Sequence, residues 1–95
     1  MTRGELPDGW TLQRIRDVSG DREAVVLNTE RVVTYLGQPH APDEVLQPEI
    51  VLGFHDLCVV KAVDDDDWYM GSLNSDGTVD CWDAYDDLWN ALRGL

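Results

Sequence analysis

The sequence predicts a small single domain of the α+β class, with an antiparallel sheet, a C-terminal helix and one short helix in the N-terminal half. Three observations favour this class. Residues 57–63 are almost uninterruptedly apolar, residues 68–82 alternate around a turn as in a β-hairpin, and residues 84–93 carry an apolar stripe with helical spacing. A chain of 95 residues is long enough for one domain with a modest core.

The first element is predicted to be a strand. Residues 10–16 alternate imperfectly between apolar and polar types. Turn-forming residues bound this segment on both sides, at 7–9 and at 19–21. We therefore expect a short extended segment between two turns.

The segment from residue 23 to residue 36 supports two interpretations. Its six β-branched residues favour strand, whereas Gly37 just beyond it is typical of a helix end. We interpret the segment as a strand at 23–27 followed by a short helix at 29–36. A hairpin that turns at residues 28–30 fits the composition nearly as well.

Three segments then lead to the centre of the predicted sheet. Residues 38–43 contain two prolines and are predicted to form a loop, and the alternative is that Pro42 opens a single helical turn at 43–46. Residues 49–53 are predicted to be short and extended. The apolar run at 57–63 is predicted to be a central strand that is covered on both faces.

A β-hairpin is predicted at residues 68–82. Its strands, 68–74 and 78–82, are joined by Ser75-Asp76-Gly77, which suits a type I turn followed by a left-handed glycine. Alternation predicts a core face made by Tyr69, Gly71, Leu73, Val79 and Cys81. The opposite face would carry Met70, Ser72, Asn74, Thr78, Asp80 and Trp82.

The last predicted element is a helix at about 84–93. Its apolar stripe recurs at steps of three and four residues, at Tyr85, Leu88, Leu92 and Leu95. Three acidic residues lie at its positive end, namely Asp83, Asp86 and Asp87. Arg93 lies at its negative end, and Gly94 follows as a stop signal.

Negative charge is concentrated in the last third of the chain. Residues 1–61 hold ten acidic and six basic residues, whereas residues 62–95 hold nine acidic residues and one base, and the net charge is −12. Asp64, Asp65, Asp66 and Asp67 form an uninterrupted run. The scattered bases do not form the cluster that a phosphate-binding surface needs, so nucleic acid and anionic membranes are poor partners. A basic protein partner is compatible with this charge.

Composition also indicates a cellular location. No apolar run reaches the length of roughly 20 residues that spans a bilayer, and residues 1–7 lack the apolar stretch of a secretory signal. We therefore expect a cytoplasmic protein whose two cysteines are reduced thiols.

No constellation of residues selects a metal centre or a catalytic site. Adjacent side chains in an extended loop point in different directions, so the four aspartates do not converge on a hard cation. The spacing of His40, His55, Cys58 and Cys81 matches no common zinc pattern, and both cysteines are interpreted as buried apolar residues. We expect no metal, no cofactor and no enzymatic activity.

The aromatic residues beside the aspartate run indicate a surface for recognition. Carboxylates would steer a basic partner towards aromatic rings that supply the contact area. The predicted partner-binding residues are Asp64, Asp65, Asp66, Asp67, Trp68 and Trp82. The alternative interpretation is that Trp68 and Trp82 are ordinary core or sheet-edge aromatics.

These features lead to two functional hypotheses. A small acidic α+β chain that ends in a hairpin and a helix resembles the immunity or antitoxin proteins that neutralise basic bacterial toxins, and the resemblance is carried by size and charge. It implies a non-enzymatic, acidic protein-interaction module that inhibits a basic partner. The alternative is a small-ligand or divalent-metal-binding domain that uses the run at 64–67 and the neighbouring aromatic residues. The sequence leaves the oligomeric state open.

Overall fold

A curled seven-stranded sheet with two short helices on its outer side forms the described part of this chain. The computed structural model describes residues 6–7, 9–36, 43–63 and 65–95. The radius of gyration, 12.4 Å, is that of a compact single domain of this length. Neither helix in these ranges is long and apolar enough to cross a membrane.

The elements are numbered in chain order. The helices are α1 (Leu12–Ser19) and α2 (Leu88–Arg93). The strands are β1 (Val25–Leu27), β2 (Val33–Tyr35), β3 (Glu44–Leu46), β4 (Pro48–Phe54), β5 (Leu57–Ala62), β6 (Trp68–Leu73) and β7 (Val79–Tyr85).

The strands lie in the order β1-β4-β5-β6-β7-β2-β3. All neighbours are antiparallel except β2 and β7, where Val33 pairs with Val79 and Tyr35 with Cys81 in parallel register. The α+β class is therefore confirmed in outline, but the prediction of a purely antiparallel sheet was wrong. A parallel pair joins segments that are far apart in the sequence, and no local pattern specifies it.

The first predicted strand, at 10–16, is instead the helix α1. The Thr11 hydroxyl accepts a hydrogen bond from the Arg14 backbone N–H at 3.1 Å, which caps the first turn. The helix ends at Gly20, whose φ of 77° is left-handed and whose N–H donates to the Arg16 carbonyl. Thr11 and Gly20 are residue types that commonly cap helices, and this preference outweighs the imperfect alternation of the residues between them.

The helix predicted at 29–36 is also wrong, because this segment contains the strand β2. Its β-branched residues follow their strand preference, and Val33 is buried in the sheet interior. The strand predicted at 23–27 is confirmed as β1. The alternative hairpin does not form either, since β1 pairs with β4 while β2 pairs with β3 and β7. Residues 44–46 form strand β3, so the alternative of a helical turn at 43–46 is wrong, and the loop predicted at 38–43 lies outside the described residues except for its last residue.

The central strand and the hairpin are confirmed. β5 lies between β4 and β6 and is largely buried, as expected for residues 57–63. β6 and β7 pair antiparallel, and Gly77 in their loop has a φ of 90° and donates its N–H to the Asn74 carbonyl at 3.0 Å. The turn residues therefore set this hairpin as the sequence predicts.

The C-terminal helix begins four residues later than predicted. β7 continues to Tyr85, which pairs with Trp68, so the segment that follows Asp83 belongs to the sheet. Asp87 then caps α2 by accepting a hydrogen bond from the Asn90 backbone N–H at 2.8 Å. The predicted stripe holds in part, since Leu88 and Leu92 are buried.

The sheet buries apolar side chains on both faces. On the inner face of the curl lie Val33, Leu46, Val51, Cys58, Val60, Ala62, Tyr69, Val79 and Cys81. On the outer face, α1 and α2 cover Ile50, Leu52, Phe54, Val59, Trp68 and Met70, which we call the covered half. The predicted core face of the hairpin is thus one of two, because Trp68 and Met70 are buried beneath the helices.

A bulge in β7 changes the register at Trp82. Met70 pairs with Asp83 and Gly71 pairs with Cys81, so Trp82 is an extra residue with no partner in β6. The two strands approach closely here, since a Cβ at Gly71 would lie 2.0 Å from the Asp80 carbonyl oxygen. Glycine at this position therefore permits the bulge that places Trp82.

Candidate partner-binding surface

The aspartate run lies in the loop between β5 and β6, where one of its carboxylates has a fixed position. Asp65 accepts a hydrogen bond from the Tyr69 hydroxyl at 2.6 Å and another from the Asp67 backbone N–H at 2.9 Å. Asp66 is exposed and Asp67 is half-buried. Asp64, a fourth predicted site residue, lies outside the described residues.

The two hydrogen bonds to Asp65 favour its ionised form. The bond from the Tyr69 hydroxyl, followed by the bond from the Asp67 N–H, lowers the pKa of the Asp65 carboxyl below its ordinary value of 3.8. Burial of the phenol and the neighbouring carboxylate raise the pKa of Tyr69. The ring of Tyr69 is also fixed, by an edge-to-face contact with Tyr35 at 5.0 Å between centroids. The Asp65 carboxylate is therefore ionised and is held in place by the fixed ring of Tyr69.

The negative charge of this loop is not neutralised within the described residues. In that part of the chain Lys61 forms a salt bridge with Glu49, and the His55 ring nitrogens lie close to the carboxylates of Asp21 and Glu23. The carboxylates of Asp65–Asp67 take part in none of them. The positive charge of Lys61 lowers the pKa of Asp65 less than the two hydrogen bonds do.

Trp68 does not belong to an exposed surface. Its side chain is 5% exposed and packs in the covered half against residues of α2. This position matches the alternative interpretation of Trp68 as a core aromatic. Its ring is not available to a partner while the domain is folded.

Trp82, by contrast, lies on a part of the outer face that the helices leave uncovered. Its indole Nε1–H donates to the Ser72 hydroxyl at 3.4 Å, across the hairpin. In β7, Asp80 points to the same side, since Val79 and Cys81 on either side of it are in the inner cluster. The Asn74 amide donates to the Asp80 carboxylate at 3.0 Å, which satisfies this partly buried group.

The uncovered area continues across β2 and β3. Val33 and Tyr35 face the interior, so alternation turns Val32 and Leu36 outward, with Thr34 between them. Thr34 pairs with Asp80 on one side and with Val45 on the other, which extends the same face to the sheet edge. We call the apolar residues of this area the open face: Val32, Leu36, Val45 and Trp82.

Three residues of the open face were not predicted from the sequence. Val32 and Leu36 lie in the segment predicted to be a helix, and no strand is predicted at Val45, so the sequence does not place the three on a common face. The signal in the sequence was the β-branched run of residues 32–34, which favours a strand. Interpreting this segment as a strand would not have been enough. Only the parallel pairing of β2 with β7 brings Val32 and Leu36 beside Trp82.

A second surface feature is a cleft of about 710 Å³ at the opposite edge of the domain, beside the turn between β4 and β5. Phe54, Leu57 and Leu95 supply its apolar lining. His55, with a left-handed φ of 56°, lies at its rim. The cleft has the size of a small-ligand site, although its residues come from outside the predicted site.

The polar groups of this cleft do not converge on a metal ion. The Nε2 atom of His55 lies 3.4 Å from an Asp21 carboxylate oxygen, and its Nδ1 atom lies 3.3 Å from a Glu23 oxygen. The two carboxylates thus lie on opposite edges of the imidazole, and a single ion cannot reach both of them together with one ring nitrogen. Across the described ranges, no group of three or more His, Cys, Asp or Glu residues could hold a metal ion.

Both cysteines are buried in the inner cluster. Cys58 and Cys81 pair with Gly71 from either side, so they occupy one row of the sheet. Burial raises the pKa of the Cys58 thiol to about 11 and that of Cys81 to about 12. Both thiols are therefore protonated at neutral pH, and they pack as small apolar groups.

Comparison of the chain with protein-family models, with curated proteins and with solved structures found no match.

Proposed function

We propose that this chain is a non-enzymatic, acidic protein-interaction module that binds and inhibits a basic protein partner in the cytoplasm. The observation that carries the proposal is the loop of Asp65–Asp67, in which two hydrogen bonds hold the Asp65 carboxylate and none of the three carboxylates has an ion-pair partner in the described part of the chain. A surface that is already ordered loses little conformational entropy when a partner binds. Uncompensated charge of one sign steers a partner of the opposite sign.

The inhibitory role is the part of the proposal that rests on the resemblance to immunity and antitoxin proteins in size and charge. The cytoplasmic location is supported by the two free cysteines, which suit a reducing compartment. Both are buried in the sheet interior, where oxidation would disturb packing.

The proposal is tested first by isolating a partner. Tagged protein is used to recover bound proteins from the native host at about 50 mM salt, and the affinity of a recovered basic protein is then measured at rising salt up to about 500 mM. We expect one basic partner whose dissociation constant increases with salt. An affinity that does not change over this range would contradict an electrostatic interface.

A charge-matched pair of variants then locates the interaction. Replacement of all four aspartates at 64–67 by asparagine is expected to weaken binding by about tenfold or more. The control variant also removes four negative charges, but at exposed positions elsewhere, by changing Asp17, Asp56 and Asp86 to Asn and Glu30 to Gln. Equal losses in the two variants would show that only net charge matters and would remove the loop from the site.

A second candidate function, small-ligand binding, is favoured by the cleft beside His55 rather than by the aspartate run. Thermal unfolding with and without millimolar Ca²⁺, Mg²⁺ or Zn²⁺ tests its metal-binding form. A ligand that binds only the folded chain raises the unfolding midpoint. Unchanged midpoints would remove divalent metal from this alternative.

A further inference from the structure

We infer that the open face is the surface on which a basic protein partner docks, with Trp82 as its central anchor. This inference rests on the proposed function, and it moves the main contact area away from the aspartate run to the outer side of β7, β2 and β3. The loop of Asp65–Asp67 then supplies long-range attraction, and the open face supplies the contact.

The open face has the composition of an interface core. The exposed fractions are 48% for Trp82, 55% for Val32, 40% for Leu36 and 71% for Val45. Large apolar side chains scattered over a surface need no explanation, but here four of them share one face of adjoining strands. Tryptophan is the residue type most enriched among those that dominate binding energy.

The covered half shows what such a face requires. There, the same sheet places Leu52 and Met70 outward, and helices α1 and α2 bury them almost completely. Helix α2 packs on β7 near Tyr85, but over β2, β3 and the part of β7 that carries Asp80 and Trp82 no described element performs this role. The apolar residues of the open face are therefore available to an external protein.

Charge selects a basic partner over a second copy of this chain. Asp80 lies within the open area, since it pairs with Thr34, and Asp83 lies at its border on β7. Arg31, which directly precedes Val32, is held by hydrogen bonds that it donates to the Gly77 and Asn28 carbonyls. Two copies that each carry a net charge of −12 would repel one another across this surface, whereas a basic partner would be attracted.

The inference is tested by mapping a defined basic probe onto the isotopically labelled protein by NMR. The probe is a synthetic peptide of about 12 residues in which Lys alternates with Leu, so that one face of an extended chain is charged and the other apolar. We expect shift changes at the Trp82 indole N–H and at the backbone of Thr34 and Val45. A Lys–Ser repeat peptide, which has the charge without the apolar face, is expected to perturb only the loop of Asp65–Asp67.

Two tryptophan variants provide the matched comparison. Trp82→Ala is expected to weaken binding of the Lys–Leu peptide by about tenfold. Trp89→Ala removes a tryptophan of similar exposure, 43%, from α2, where it lines a groove beside the end of α1, and is expected to change the affinity by less than about twofold.

Four results would overturn the inference. They are equal effects of the two tryptophan variants, shift changes that omit the open face, equally tight binding of a Glu–Leu repeat peptide, and self-association of the protein through Trp82 in the absence of peptide. If the Lys–Leu peptide perturbs only the Asp65–Asp67 loop, the docking surface is wrong while the proposed function stands. If neither basic peptide binds in a salt-dependent manner, the proposed function fails as well.

Discussion

The covered half and the open face are two parts of one sheet surface, and the helices bury the first but leave the second exposed. In the covered half, Trp68 lies beneath the helices and is 5% exposed, whereas Trp82, on the neighbouring strand of the same hairpin, is 48% exposed. The difference arises from where α1 and α2 lie. The helices cover β4, β5, β6 and the Tyr85 end of β7, but the described residues leave β2, β3 and the rest of the outer side of β7 uncovered.

This difference in exposure gives the two surfaces different expected roles, one in folding stability and the other in recognition. Burial of Trp68 contributes to folding because it removes a large apolar surface from water. Exposure of Trp82 contributes nothing comparable to folding, and its surface remains available for association. The contrast predicts that changes in the covered half alter the free energy of unfolding, while changes on the open face alter binding.

Among the substitutions that shorten a side chain, the largest effect is expected for Trp68→Ala. Loss of this buried ring leaves a cavity under α2 and is expected to reduce the free energy of unfolding by about 3–5 kcal/mol. Trp82→Ala is expected to reduce it by less than about 1 kcal/mol, because the side chain is half exposed. Urea denaturation of both variants checks this pair. Similar losses would break the comparison between the two halves.

Gly71→Ala is expected to have the next largest effect, about 3 kcal/mol of lost stability. The added methyl group would lie within 2.5 Å of the Cys81 Cα atom and closer still to the Asp80 carbonyl, so the strands must separate. The Trp82 bulge is expected to shift with them.

Thermal unfolding and the NMR shift of the Trp82 indole N–H measure the two consequences of Gly71→Ala. Ser72→Ala is the control, because it removes only the long hydrogen bond to Trp82 from the neighbouring position. A Gly71→Ala variant as stable as the native chain would show that the bulge is not constrained as described.

Tyr69→Phe is expected to cost about 1 kcal/mol at neutral pH, through loss of the hydrogen bond to Asp65. The pKa of Asp65 is lowered in the folded chain, so the contribution of its ionised form is present above the ordinary value of 3.8 and is lost as the pH falls through the lowered value. The difference between native and variant proteins should therefore disappear in acid. Urea denaturation at neutral and acidic pH measures it, and a constant difference would contradict the role of Asp65.

The smallest effect is expected for Val45→Lys. This side chain is 71% exposed on an edge strand, so the free energy of unfolding should change by no more than about 0.5 kcal/mol. Leu46→Lys, one residue further on, would bury a charge in the inner cluster and should prevent folding. Equal tolerance of the two substitutions would show that β3 does not present the faces described.

Elements with strong local signals were predictable from the sequence. The hairpin follows from the turn residues at 75–77, and the central strand β5 follows from its apolar run. Helix α1 could also have been predicted, since Thr11 and Gly20 are cap residues at its two ends. The imperfect alternation of residues 10–16 concealed it.

The open face was not predictable because it depends on pairing between distant segments. β2 joins β7 in parallel, across more than forty residues, and only this pairing brings Val32 and Leu36 beside Trp82. The burial of Trp68 likewise depends on where α2 folds back onto β6. Local patterns identified acidic and aromatic residues, but tertiary contacts decided which of the rings is accessible.

The most direct test measures the affinity and the stability of one variant together. With the basic partner isolated from the host, Trp82→Ala is predicted to bind about tenfold or more weakly while its free energy of unfolding remains within about 1 kcal/mol of the native value. A variant that binds with native affinity, or that loses affinity only because it has unfolded, would contradict the assignment of recognition to the open face.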